Sequence, residues 1–427
     1  MRIPEWGRAD DVLGFFASGV CAGPVQRFSW WAGHADLALL FLVHGMAMAT
    51  WYVPLSPVLE AYGFSEVRPL AFATSAVAAL VSPLVFGGIA DRQMRPSRVL
   101  RGLAIAASVL TVVAAWAIQA RATSWGVLLV IQAHALVAVP TWSLTYTIAL
   151  SRLKDSRREF GPIRALGTLG WMAGCWLVSL MDADASVRAS VAGAAIWVVL
   201  ALVLQTVRGE VPPESQGKLS IRQRLGLDAL GLLVLPDHRV VFMTAALIAI
   251  PLSAFYPFTP LHLRALGLTH SSAWMSLGQV TELIAMFGLS VLLGRWRLKW
   301  IFACGLGFAL VRYALCTVDS VPWVLTGVTL HGFAFTLFFI TAPIYLNERI
   351  EAAWRGRAQA LMTLMTLGVG NMLGYLGCGA WFTRCTEAGV TRWPLFWGGL
   401  TGAVAMVLLY FLWAYSGRTG NHKTAST

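Results

Sequence analysis

The stretch SAWMSLGQVTELIAMFGLSVLLG, residues 272–294, decides the fold that we expect for this chain. It is apolar and long enough to cross about 30 Å of hydrocarbon as a helix. Gln279 and Glu282 stand in its middle, three positions apart, so both side chains lie on one helical face. A carboxylate at the centre of a membrane costs roughly 2.5–3.5 kcal/mol on insertion scales and is functional by default. We therefore expect this face to line a water-filled cavity between membrane helices.

Composition extends the same pattern to the whole chain. Of its 427 residues, 57% are hydrophobic and only 12% are charged, whereas soluble domains carry about 25% charged residues. Lipid admits only helices and closed barrels, and the alternating ten-residue segments of a barrel are absent from the sequence. These features predict an all-α polytopic membrane protein.

Apolar segments of about twenty residues follow one another along the chain and predict twelve membrane spans. In order, the predicted spans are 36–58, 68–89, 98–119, 124–149, 160–181, 186–207, 238–262, 272–294, 298–317, 321–345, 357–382 and 394–416.

The longest break, 208–237, is rich in Pro, Gly and charge and divides six predicted spans from six. A linker at the midpoint is typical of transporters built from two pseudo-symmetric six-helix halves. Residues 1–35 combine aromatic and polar residues, which suits a short interfacial helix or a disordered tail equally well. The predicted units are the N-terminal segment 1–35, one half at 36–207, the linker 208–237, the second half at 238–416 and the tail 417–427.

Basic residues collect in alternate loops, after predicted spans two, four, eight and ten. The positive-inside rule then places both termini and the central linker in the cytoplasm, and we expect a multi-pass protein of the bacterial inner membrane. These loops account for the formal charge of +12, and no basic soluble module is present for nucleic acid. The six cysteines have no metal-like spacing. We expect no nucleic-acid partner, no metal and no cofactor.

The loop after the second predicted span reads GGIADR, residues 87–92. Gly87, Asp91 and Arg92 match the loop motif of the major facilitator superfamily, although Met94 stands where that motif usually has glycine. Asp91 could pair with a base or a helix N-terminus across the two halves. The alternative is a loop that only sets topology. With twelve spans and a central linker, the sequence resembles this superfamily.

A polar stripe runs along the fifth predicted span. Arg164, Thr168 and Trp171 stand at i, i+4 and i+7, which is one face of a helix. Considered without its neighbours, Arg164 could extend its side chain so that the guanidinium reaches the lipid headgroups. Thr168 and Trp171 on the same stripe favour a cavity wall instead.

Glu282 in the eighth span has two interpretations. It could be a structural partner buried against another helix, or a carboxyl that gains and loses a proton in a dehydrated site, as in a proton-coupled carrier. Arg312, in the ninth span, is expected toward the outer end, where it extends to the headgroups or pairs structurally.

Aromatic and hydroxyl side chains occur in several spans, and together they suit a flat, hydroxyl-rich ligand. His331 is a packing residue or, less readily, a titrating one. No phosphate loop or nucleophile elbow is present, so we do not expect an enzyme. The further candidates for the cavity are Trp51, Ser253, Tyr256, His331 and Phe335.

The sequence is similar to the nucleoside:proton symporter family, whose bacterial permeases belong to the major facilitator superfamily. The match covers roughly residues 40–415. Single segments are weak, but their order and spacing together are specific. They are TWYV at 50–53, PT at 140–141, PIRALGT at 162–168, GLDA at 226–229, QVTE at 279–282, LVRYA at 310–314, HGFAF at 331–335 and RAQA at 357–360.

This resemblance implies that Arg164, Thr168 and Trp171 contact a nucleoside, and that Gln279 and Glu282 hold its base or ribose. It also implies coupling to protons through Glu282, and an aromatic contact from Phe335.

The sequence departs from the family at several ligand partners. The family's acidic residue in the tenth span falls on Thr336, its Gln and Asn in the seventh fall on Ser253 and Tyr256, and an aromatic falls on His331. A site that loses a fixed acceptor should not keep the same ligand at the same affinity.

We expect a monomeric transporter in contact with membrane lipid that takes up a small molecule, such as a nucleoside, together with protons by alternating access. The alternatives are a major facilitator carrier of another solute, such as a sugar or an exported small molecule, and a sensor or scaffold that keeps the fold without transport.

Overall fold

The computed structural model describes residues 33–90, 94–153, 156–207 and 220–417. Residues 1–32 of the predicted N-terminal segment lie outside these ranges. So do Asp91 and Arg92 of the GGIADR loop, residues 208–219 of the predicted linker and nearly all of the predicted tail.

Almost all regular structure in the described ranges is helical. The helices are α1 (Ala35–Tyr52), α2 (Leu55–Ala61), α3 (Arg68–Ala90), α4 (Pro96–Gln119), α5 (Ser124–Ala138), α6 (Thr141–Arg152), α7 (Ser156–Leu180), α8 (Arg188–Val203), α9 (Ile221–Arg224), α10 (Pro236–Leu252), α11 (Phe255–Ala265), α12 (Ser271–Met275), α13 (Leu277–Arg295), α14 (Leu298–Cys316), α15 (Val321–Thr329), α16 (His331–Phe335), α17 (Thr341–Arg349), α18 (Ala352–Thr363), α19 (Asn371–Arg384) and α20 (Trp393–Ala414).

Short segments of other types connect these helices. Two 3₁₀ turns cover Ser65–Val67 and Leu227–Val234, and π-helical turns cover Thr336–Ile340 and Leu364–Gly370. Between α19 and α20, the two-residue strands β1 (Thr386–Glu387) and β2 (Val390–Thr391) pair antiparallel, with Thr386 opposite Thr391.

The predicted spans all fall on helix, and several are two helices joined near the middle. Within the described ranges, nine helical stretches are long and apolar enough to cross a membrane, and α8 is a shorter apolar helix. The count of twelve crossings stays a prediction.

Proline accounts for several of the breaks within spans. Pro54 lies between α1 and α2, Pro140 between α5 and α6, and Pro251 just before the end of α10. Proline lacks the backbone N–H and its ring clashes with the preceding turn, so a helix bends or ends there. The π-helical turns in the tenth and eleventh predicted spans add two more irregular segments, a feature that is frequent at functional sites.

Glycine allows α1 and α7 to pack closely along their lengths. A Cβ atom on Gly45 would overlap the backbone of Gly167, and one on Gly170 would overlap the backbone of Leu42. Small residues at such contacts let helix backbones approach in the membrane. This contact fixes the position of α7, the helix that carries Arg164 and Thr168.

Buried apolar side chains form separate clusters along the chain. One cluster lies entirely within 37–207, and the largest lies almost entirely within 229–415. A third joins residues 51–131 to Tyr375 of α19. This distribution fits the predicted division of the chain.

Several contacts join these two parts of the chain at one end of the molecule. The Trp176 indole donates to the Ser276 hydroxyl (3.0 Å), and the Ser56 hydroxyl donates to the Pro257 carbonyl. Asp184 accepts from the backbone N–H of Ser272 (2.6 Å). All lie near the loops that the positive-inside rule places outside the cell, so these contacts join the two parts at the predicted outer end.

Candidate binding cavity

A cavity of about 500 Å³ lies between the two parts of the chain. Small-molecule sites commonly enclose about 300–1,000 Å³. Helices α1, α6, α7, α10, α11, α13, α14, α16 and α19 and both π-helical turns contribute to its wall. The lining residues are Tyr52, Trp142, Tyr146, Arg164, Gly167, Thr168, Trp171, Ala249, Leu252, Ser253, Phe255, Tyr256, Gln279, Glu282, Arg312, His331, Phe335, Phe339, Thr366, Leu367, Asn371 and Tyr375.

Nine of the ten binding residues that we predicted from the sequence line this cavity, and Trp51 does not. The Trp51 ring is 5% exposed and packs against the His134 ring, with 4.5 Å between centroids. Its neighbour Tyr52 faces the cavity instead. Successive helical positions differ by about 100° in direction, so only one of the two can point inward.

A chain of polar contacts crosses the cavity from α7 to α13. Arg164 Nη1 donates to the Thr168 hydroxyl (3.1 Å), and that hydroxyl donates to Glu282 Oε1 (3.3 Å). Arg164 Nη2 lies 3.9 Å from the same carboxylate oxygen. Thr168 and Glu282 are 4% and 7% exposed, so the negative charge of the carboxylate is compensated within a largely dehydrated wall.

Two aromatic rings hold the Arg164 guanidinium from the other side. Its Cζ lies 5.5 Å from the ring centroid of Trp142 and 5.8 Å from that of Tyr146. Both distances are within the range of cation–π attraction. Trp142 and Tyr146 are four residues apart on α6, and this spacing is the sequence signal for a shared face.

Gln279 lies one helical turn before Glu282 on α13. Its amide Nε2 donates to the Tyr256 hydroxyl at 3.5 Å, and its Oε1 atom is buried without a partner. The Ser253 hydroxyl, by contrast, donates to the Ile250 carbonyl of its own helix (2.7 Å). Gln279 therefore has an acceptor to offer a ligand, while the Ser253 proton is already used.

Aromatic rings separate the polar chain from the predicted outer end. The Tyr52 and Tyr375 hydroxyls share a hydrogen bond (2.6 Å). Tyr52 lies 5.1 Å from Tyr256, and Trp171 lies 5.8 Å from Tyr256, between centroids. The sequence reasoning missed Tyr375, because the tenth and eleventh spans offer many aromatic and glycine positions with no periodic signal that singles it out.

Arg312 differs most from its prediction. The expectation that it extends to the headgroups is wrong, because its side chain is 1% exposed and lines the cavity. Its Nη1 contacts His331 Nδ1 (2.5 Å), so His331 is a hydrogen-bonded residue of this wall. The Phe255 ring stacks on His331, with 3.9 Å between centroids. Within the described ranges, no group of three or more His, Cys, Asp and Glu residues is arranged to hold a metal ion.

The long apolar helices and the mixed aromatic and charged cavity define a multi-pass membrane protein with a candidate small-molecule site between its two parts. A family model described as "Nucleoside H+ symporter" matches residues 33–419, so the chain belongs to the nucleoside H⁺ symporter family. The prediction of this family from the sequence is confirmed. Membership implies a small-molecule substrate and protons as the transported species.

Comparison with individual proteins agrees with this family. The chain is 32% identical to the putative nucleoside transporter YegT of Escherichia coli (strain K12), over 80% of this chain and 82% of that protein. It is 25% identical to the nucleoside permease NupG of the same organism, over 80% of this chain and 85% of that protein.

The crystal structure of the nucleoside transporter NupG matches with a TM-score of 0.79 at 23% identity, over 90% of this chain and 98% of that one. This likeness confirms the prediction of an all-α polytopic membrane fold of the major facilitator type.

Proposed function

We propose that this protein takes up nucleosides together with protons by alternating access. The observation that carries the proposal is the polar chain of Arg164, Thr168 and Glu282, which spans an aromatic-lined cavity between the two parts of the molecule. The chain connects the Glu282 carboxylate, which can gain and lose a proton, with the Arg164 guanidinium on the opposite wall. Such a contact lets protonation change the attraction between the two walls, and so couples a proton to a conformational change.

Glu282 is the proton-linked group in this proposal. When the carboxylate is ionised, it attracts Arg164 and holds α7 and α13 together across the cavity. When it is protonated, that attraction ends and the Arg164 guanidinium can donate to a ligand instead. Proton binding and ligand binding thus both act on Arg164, which couples them.

The other cavity residues bind the ligand. The Gln279 carbonyl oxygen, buried without a partner, accepts from a hydroxyl or amide of the nucleoside. Trp171, Tyr256 and Phe335 offer ring faces on which a base can stack. Ser253 and His331 shape the wall beside them, and Trp51 supports it from behind through His134.

The proposed architecture is two six-helix halves, 36–207 and 238–416, joined by a cytoplasmic linker. Both termini are cytoplasmic, and the protein is a monomer in contact with the lipid of the bacterial inner membrane. Gly87 near the end of α3, with Asp91 and Arg92 after it, acts as the conformational loop on the cytoplasmic side.

A carrier of another solute, or a sensor that keeps the fold without transport, is the second candidate. Thr336 favours it, because its buried hydroxyl has no hydrogen-bond partner where the family has an acidic residue. The retention of Arg164, Gln279 and Glu282 in one cavity argues against it.

Thermal unfolding of the detergent-purified protein tests the proposal against a panel of nucleosides, nucleobases and sugars. A ligand that binds only the folded state raises Tm by mass action, by an amount that grows with its concentration. We expect nucleosides to raise Tm, and uptake of the same nucleosides into proteoliposomes to require an inward proton gradient. Stabilisation by sugars alone would favour the second candidate.

A further inference from the structure

The cavity contains two guanidinium groups and one carboxylate. Arg164 is matched with Glu282, whereas Arg312 has no Asp or Glu within 4 Å among the residues that the structure describes. Arg312 is 1% exposed, and its Nη2 atom is buried without a hydrogen-bond partner. A buried cation without a counter-charge is strongly unfavourable, so its retention calls for an explanation.

The neighbours of Arg312 are neutral. Arginine can only donate, so Nδ1 of His331, 2.5 Å from Nη1, accepts with its lone pair. The Nδ1 atom is therefore unprotonated, the imidazole is neutral, and its remaining proton is on Nε2. The Phe255 and Tyr313 rings lie 4.6 and 4.5 Å from Cζ. Their faces attract the cation but do not balance its charge.

The rings beside Arg312 form a stack. Phe255 and His331 lie face to face at 14° with 3.9 Å between centroids, and His331 and Phe335 are inclined at 27° with 6.1 Å between centroids. A planar, conjugated ligand group can extend this stack from a ring that lines the cavity. The same wall then offers stacking and a positive charge to one part of the ligand.

We propose that the ligand supplies the missing negative charge, and that it is a nucleoside whose base is anionic at neutral pH and lies against Arg312. The proposal rests on the proposed nucleoside transport and specifies its substrate class. The stacked rings favour an anionic base over a nucleotide phosphate as the source of this charge. An ionised base can stack on the wall that carries Arg312, whereas a tetrahedral phosphate cannot.

Binding to the purified protein at pH 7.5 tests the proposal with two matched pairs of nucleosides. Xanthosine has an ionised base at this pH, whereas the base of inosine is neutral. Orotidine is uridine with a carboxylate on the base. We expect Kd to be at least about tenfold lower for the anionic member of each pair, the size of effect expected for one charge-assisted hydrogen bond in a dry site.

Substitutions at Arg312 test whether this side chain causes the preference for the anionic nucleosides. Arg312→Gln should remove the discrimination between the paired nucleosides, and Arg312→Lys should retain part of it. Arg98→Gln changes an exposed arginine on α4 and should leave the discrimination between the paired nucleosides unchanged. If Arg312→Gln does not fold, the two pairs on the unchanged protein still decide the question.

Three results would overturn the proposal in different ways. Equal or tighter binding of inosine and uridine would exclude an anionic base and leave nucleoside transport intact. Tighter binding of inosine monophosphate than of xanthosine would make the phosphate the anion. Binding of no nucleoside at all would remove both this proposal and the proposed function.

Discussion

Nη2 of Arg164 on α7 lies 3.9 Å from Oε1 of Glu282 on α13, and the Thr168 hydroxyl bridges the two side chains. The two helices belong to different parts of the chain, so this contact links the parts through the cavity itself. Any event that neutralises Glu282 acts on both walls at once.

Replacing Glu282 with Gln should abolish proton-driven accumulation of nucleoside while leaving exchange of internal for external nucleoside. Glutamine keeps the size and the hydrogen bond to Thr168 but carries no exchangeable negative charge, so it mimics the protonated state permanently. The measurement is uptake into proteoliposomes with and without a pH gradient, alongside counterflow of labelled nucleoside.

Glu66→Gln is the matched control for this variant. Glu66 is an exposed carboxylate in the short turn before α3, and its neutralisation should leave both activities unchanged. Undiminished accumulation by the Glu282→Gln protein would remove Glu282 from the coupling mechanism.

Replacing Thr168 with Val should weaken both nucleoside binding and proton-driven uptake. Valine has the same shape but cannot bridge Arg164 and Glu282, and hydrogen bonds to charged groups contribute about 1.5–3 kcal/mol. We expect a loss of roughly tenfold or more in affinity, measured as Kd on the purified protein. Thr168→Ser restores the hydroxyl and should restore most of the affinity. A valine variant with unchanged Kd and uptake would show that the bridge is dispensable.

Residue spacing alone predicted the central part of this site. Arg164, Thr168 and Trp171 follow a helical period, and Gln279 and Glu282 are three residues apart, so each set had to share a face. The structure brings both sets into one cavity, and their roles in binding stay predictions.

The sequence was less informative where neighbouring helices decide orientation. Trp51 and Tyr52 are adjacent aromatic residues, and the rotation of α1 against α7 determines which one faces the cavity. Arg312 lies near the end of its helix by residue count, but packing against Phe255 and His331 buries it. Charge and position along a span do not reveal such long-range contacts.

Replacing Asp184 with Asn should shift the protein toward a state that is open at the predicted outer end. Asp184 Oδ1 accepts from the Ser272 N–H (2.6 Å) and the Ser179 hydroxyl (3.1 Å), and Ser179 in turn accepts from the Ala273 N–H (2.9 Å). Together they satisfy the free N–H groups at the start of α12 from the other half of the chain. An amide replaces charge-assisted bonds with weaker neutral ones, so the closed state should lose about 1 kcal/mol.

Distances between spin labels at Glu66 and Glu387, exposed residues of the first and second parts of the chain near the predicted outer end, would report this shift. We expect a longer-distance population that grows roughly fivefold in Asp184→Asn, with the native cysteines replaced in all variants. Asp182→Asn alters a neighbouring aspartate that is 81% exposed, and its 3.8 Å pair with His270 is screened by solvent, so this variant should leave the distribution unchanged. Identical distributions for the two variants would show that Asp184 does not hold this end closed.

Replacing Gly332 with Ala should lower Tm and abolish uptake together. A Cβ atom at this position of α16 would overlap the backbone N of Glu282, the carbonyl of Gly278 and the Thr281 hydroxyl. Two of these atoms are backbone, so α13 and α16 have to separate, and forced overpacking typically costs about 1–3 kcal/mol. Because Glu282 itself moves with α13, its contacts with Thr168 and Arg164 should lengthen.

Gly102→Ala is the control, because it adds the same atom to an exposed position of α4 with nothing within 4 Å. This variant should have an equal or slightly higher Tm and unchanged uptake. A Gly332→Ala protein with native Tm and uptake would show that α13 and α16 tolerate separation without disturbing the polar chain.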